Sequence, residues 1–174
     1  LARVHHRAGQ ATYRRRGGEL PRKKPMVDVR ELDPGDAVEG EGWRVTCAHV
    51  PHVQPWLHSL AFRVDAEGRS VVLTGDTRAD DAVTQLARGA DVLMMMCWEA
   101  DDHMNHVGRE RASASIRDCA RTATAAGVKT LVLVHLGPRL RTPGMLGPRQ
   151  AEAEAYFNGT IIFGEELMEV PLPD

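Results

Sequence analysis

His52, Asp76 and His135 are the residues of this chain best suited to chemistry. Each stands where a strand-like stretch gives way. His52 lies in the loop after residues 43–48. Asp76 follows Val71-Val72-Leu73-Thr74-Gly75, and His135 follows Leu131-Val132-Leu133-Val134. A polar group at the end of a buried strand is costly unless it is satisfied, and a rigid element aims it well. Two imidazoles and a carboxylate suit zinc, iron or manganese. Taken singly, each has a plainer account. An Asp after Gly75 closes a turn, and a core His can rest on one hydrogen bond. Together they are more specific, because each closes a strand.

Further polar residues gather nearby in sequence. The stretch from Glu99 to His106 reads as a loop at the rim of such a site. His103 and His106 could contact a substrate or pass a proton, although a solvated surface loop explains the same residues. Arg139 follows His135 closely and could hold an anionic group or form a structural pair. His49 and His58 flank the His52 loop and would act through the ligands at most. His5 and His6 read as surface residues.

The elements that must position these groups change rhythm along the chain. Residues 37–39, 43–48, 59–64 and 70–74 read as strands, with hairpin signals at 40–42 and 65–68. Asp80 or Asp81 can cap a helix that carries Val83, Leu86 and Ala87 on one face. Residues 91–96 and 131–134 are apolar enough for buried strands. Between them Ala112, Ile116, Cys119, Ala120 and Ala123 share a helical face closed by Gly127. A helix over 150–156 and strands over 160–163 and 167–170 complete the pattern. Alternation of helices with apolar strands implies a sheet covered by helices.

Composition narrows the class. The chain has 174 residues, 43% hydrophobic, with a net charge of −2. That is enough for one domain with a core, and the balance carries no bias toward nucleic acid or a membrane surface. No apolar run approaches the roughly 18 residues of a membrane span. Three widely spaced cysteines, Cys47, Cys97 and Cys119, read as buried thiols of a reducing compartment. Residues 1–34 stand apart: nine Lys or Arg face four acids, with Gly17-Gly18, Pro21 and Pro25 breaking any period.

The succession of motifs resembles a known family. A strand leading to His52, Leu73-Thr74-Gly75-Asp76-Thr77, Gly89-Ala90-Asp91-Val92-Leu93, Ala126-Gly127-Val128-Lys129 and Leu131-Val132-Leu133-Val134-His135 resemble the C-terminal half of the metallo-β-lactamase fold. The likeness is greatest to the branch of tRNA 3′-processing ribonucleases and arylsulfatase-like hydrolases. It implies that His52 ligates a first metal, that Asp76 bridges two, and that His135 ligates the second. Two cations about 3.5–4 Å apart need an anion between them. Asp76 is then the catalytic carboxylate.

Departures from the family pattern matter too. No His-x-His occurs in the chain, so the principal His-x-His-x-Asp-His motif is missing. Leu1 in place of Met suggests that the chain starts after it. The glutamate that many tRNA-processing members carry near the end of the strand after the first helix aligns with Met96. Their His-Ser-Thr-like helix entry is Ser113-Ala114-Ser115 here, which weakens a ribonuclease reading.

The sequence thus predicts an α/β fold, the C-terminal half of a metallo-β-lactamase-like αββα sandwich with a mixed sheet. Residues 1–36 form a basic, irregular lead segment and 37–174 the domain. The function implied is hydrolysis of an ester-type bond (phosphodiester, sulfate ester or lactone) by metal-activated water, with the fragment alone inactive. The metals are two divalent ions, zinc before manganese or iron. Substrates are small-molecule or RNA esters, the compartment is cytoplasmic, no membrane is involved, and a homo-oligomer is allowed. The alternatives are a non-catalytic binding or structural module, and a mononuclear site of two histidines and a carboxylate.

Overall fold

The computed structural model describes residues 10–11, 13–15, 17–20, 30–53, 55–107 and 111–173; for 105–107 it describes the backbone alone. His5, His6 and the side chain of His106 lie outside the described residues, as do Arg3, Arg7, Arg16, Arg22, Lys23 and Lys24. The chain forms two compact units, Leu1–Glu31 and Leu32–Asp174. In the first, Gln10, Ala11 and Tyr13 to Arg15 are helical.

Among the described residues, seven strands form one sheet in sequence order: β1 (Ala37–Gly40), β2 (Trp43–Val50), β3 (Ser59–Ala66), β4 (Arg69–Leu73), β5 (Val92–Met96), β6 (Thr130–Val134) and β7 (Thr160–Phe163). β1 to β4 are antiparallel neighbours. β4 to β7 pair in parallel. Parallel neighbours need crossovers, and these supply the helices α1 (Asp81–Leu86), α2 (Asp101–Val107), α3 (Ile116–Ala126) and α4 (Leu146–Glu154). This mixed sheet with covering helices is the expected fold class.

Helix α3 shows why the sequence folds as it does. Ser115 accepts the Asp118 N–H and Asp118 accepts the Ser115 N–H, a reciprocal cap. Gly127, at φ +67°, ends the helix in the left-handed region that favours glycine. Ile116, Cys119, Ala120, Ala123 and Ala126 are buried and join Leu93, Met95, Leu131 and Leu133 in the core. Burial and the neighbouring Cys97 thiol push the Cys119 thiol well above its usual range, and it donates to the Met96 carbonyl at 3.2 Å.

Four local expectations are corrected. Ala112 lies in a turn before α3, not on its face. Residues 101–107 are helical rather than a loop. Asp101 and Asp102 favour a helix N-terminus, and Met104 is buried below it. The last helix begins at Leu146, not 150, because Pro148 is tolerated in a first turn. Residues 167–170 form no strand: Leu167 takes φ +64° in a turn and is 96% exposed.

Candidate metal centre

The C-terminal ends of β4, β5 and β6 point the same way, so the segments that follow them share one edge of the sheet. Gly75 turns the chain out of β4 at φ +59°, a conformation glycine enters at little cost. Thr74 anchors this turn by donating its N–H to Met94 O at 3.1 Å. Asp76 follows. Beyond it the Thr77 N–H donates to Met96 Sδ at 3.0 Å, and the Arg78 N–H donates to Pro51 O at 3.2 Å. That last bond ties the loop carrying His52 to the segment carrying Asp76.

His52 is oriented from behind. Its Nδ1 lies 2.6 Å from Ala112 O. A carbonyl only accepts, so Nδ1 carries a proton, and in the neutral ring Nε2 presents its lone pair. That Nε2 is 3.9 Å from Asp76 Oδ2. His135 reaches the same oxygen, with Nε2 at 3.5 Å. Its backbone sits at φ +53°, a costly region for a residue with a Cβ. Its ring lies 5.6 Å from that of Trp98.

The three residues read from the sequence are therefore brought together around one carboxylate oxygen. A cation between His52 Nε2 and Asp76 Oδ2 would meet a donor on each side. Their donor types and orientation fit divalent metal ions, with zinc suited to imidazole and carboxylate. Among the described residues, no three His, Cys, Asp or Glu side chains close on one point tightly enough to hold an ion alone.

The rim holds a second network. Glu99 follows β5 and its side chain is 3% exposed. Oε1 accepts the Ala100 N–H at 2.9 Å, and Oε2 lies 3.5 Å from Arg139 Nε. Arg139 Nη1 is 2.9 Å from His103 Nδ1. Arginine only donates, so His103 Nδ1 accepts, and the proton of the neutral ring sits on Nε2. Arg139 and His103 thus share a contact. His49 and His58 stack edge to face at 5.6 Å between centroids.

Glu99, Trp98 and the Ala112 carbonyl carry roles that the sequence reading missed. The strand ends at Met96, and a glutamate does stand near it, three residues on. The signal was a single acid directly after the apolar run 92–98. A backbone carbonyl leaves no such mark.

Residues 3–136 match the family model described as Beta-lactamase superfamily domain. The chain is 34% identical over 152 residues to the Ribonuclease Z of Mycobacterium bovis (strain BCG / Pasteur 1173P2), covering 84% of this chain and 53% of that protein. It is 32% identical over 145 residues to the Ribonuclease Z of Nocardia farcinica (strain IFM 10152), covering 83% and 42%. The chain spans about half the length of the curated relatives it matches. Among solved structures, the metallo-beta-lactamase fold protein YhfI from Bacillus subtilis superposes with a TM-score of 0.64 at 21% identity, covering 77% of this chain and 52% of that one. The short form of human tRNase Z superposes with a TM-score of 0.58 at 21% identity, covering 79% and 45%. On this match and this fold, the chain belongs to the beta-lactamase superfamily.

Proposed function

We propose that the gene product carrying this chain is a metal-dependent phosphodiesterase acting on RNA. The observation that supports it most is the approach of His52 Nε2 and His135 Nε2 to one oxygen of Asp76, at 3.9 and 3.5 Å. The similarity to proteins named Ribonuclease Z favours a phosphodiester over a sulfate ester or lactone. In this reading His52, Asp76 and His135 would contribute ligands to two ions. Bound zinc would supply Lewis acidity and lower the pKa of an attacking water.

The chain's own residues have distinct parts. Ala112 holds His52 in the ligating tautomer. Asp76 carries the negative charge that offsets two cations. His103 offers an Nε2 proton to the leaving oxygen as the phosphorus–oxygen bond breaks. Arg139 and the buried Glu99 hold that imidazole in place. The three free cysteines support a cytoplasmic setting, and no helix among the described residues is long and apolar enough to cross a membrane.

The test is cleavage of a 3′-extended transfer RNA by the full-length gene product with zinc or manganese, beside sulfate ester and lactone substrates. Cleavage of the RNA that a chelator stops supports the proposal. Hydrolysis of another ester class with intact RNA would overturn it.

A further inference from the structure

A cavity of about 670 Å³ opens beside His135. It lies past the C-terminal ends of β6 and β7, where parallel sheets commonly seat ligands. Leu136, Leu140 and Phe163 form apolar walls, and Trp98 closes the side next to His135. Its polar lining, besides His135, is Arg141 and the exposed Glu165 and Glu166. The size and the mixture are those of a small-molecule site.

The walls are built rather than incidental. The Gly137 N–H donates to Trp98 O at 3.0 Å, and a Cβ on Gly137 would meet that oxygen at 2.1 Å. Only glycine lets the His135 loop lie this close to Trp98. Across the cavity the Gly164 N–H donates to Leu133 O at 2.8 Å, fixing the end of β7.

We propose that this cavity takes one nucleobase of the RNA strand, the base next to the scissile phosphate, stacked against Trp98. The inference rests on the phosphodiesterase reading for the phosphate beside it. A flat, aromatic group with hydrogen-bonding edges matches a cavity with aromatic walls and polar groups in its lining. Bases splayed from a single strand are held in this way by aromatic side chains. Glu165 can accept from an exocyclic amino group, and Arg141 can meet a phosphate.

Binding and cleavage are tested separately with the full-length gene product. In equilibrium binding, adenosine 5′-monophosphate should bind at least about ten-fold more tightly than ribose 5-phosphate, the scale of one base stack. Trp98→Ala should abolish that difference, while Trp98→Phe, which keeps a ring and guards against misfolding, should retain most of it. Equal affinity for the two compounds, or a preference that survives Trp98→Ala, overturns the inference whatever the enzyme cleaves. In cleavage, an RNA abasic at the flanking position should lose about ten-fold in kcat/KM with the wild type and nothing further with Trp98→Ala. Independent, multiplying losses overturn the assignment of the base to this cavity. Absence of RNA cleavage by the wild type, with nucleotide binding intact, overturns the phosphodiesterase reading alone.

Discussion

Arg139 Nη1 lies 2.9 Å from His103 Nδ1, so the neutral imidazole of His103 keeps its proton on Nε2. Arg139 is itself held by Glu99 Oε2 at 3.5 Å. A buried carboxylate thus orients a cation, and the cation fixes a tautomer. Such a chain suits a group that must present one proton in one direction.

The first prediction concerns that proton. His103→Gln should lower kcat on RNA by about 10². The loss should be much smaller on a phosphodiester with a nitrophenol leaving group, which departs without being protonated. Arg139→Met should show the same pattern more weakly. Steady-state kinetics with the two substrates checks this, and equal losses on both would remove His103 from proton transfer.

A second prediction follows from the packing of the His135 loop. In Gly137→Ala the new Cβ would lie 2.1 Å from the Trp98 carbonyl oxygen, so backbone must move. A cost of about 1–3 kcal/mol is expected, as for other overpacked sites. Urea unfolding measures it. Because the displaced loop carries His135, metal affinity should fall as well.

Stability should also depend on pH through Asp91. The Lys129 ammonium at 3.0 Å and the Ser70 N–H at 2.8 Å hold its carboxyl below the usual carboxylate range. The folded pKa is lower than the unfolded one. The stabilisation is therefore complete above about pH 4, the unfolded value, and is lost as pH falls through the folded value. Asp91→Asn should cost about 1–3 kcal/mol at pH 7. Denaturant unfolding at pH 7 and pH 3 should show the gap between wild type and variant shrinking in acid. A gap that widened would reverse the sign of this account.

Legibility in the sequence followed burial. The run before His135 is apolar because β6 crosses the core; β4 buries Ser70 and Val72 and leaves Leu73 exposed, yet its aliphatic run still marked the strand before Asp76. His52 was harder: β2 ends at Val50, and the loop between carries two prolines. Glu99 was not legible as a buried group, since a glutamate is ordinarily exposed; Arg139 and the Ala100 N–H satisfy it. The helix Asp101–Val107 was hidden by its polarity, with Met104 as its buried anchor. The partner of His52 is a main-chain carbonyl, which any residue at position 112 would supply.

The most direct test counts metal. Bound zinc per chain should be measured for the full-length gene product and for its Asp76→Ala variant. The account predicts two ions in the wild type and fewer than one in the variant, because one carboxylate serves both. Two ions retained after Asp76→Ala would contradict it.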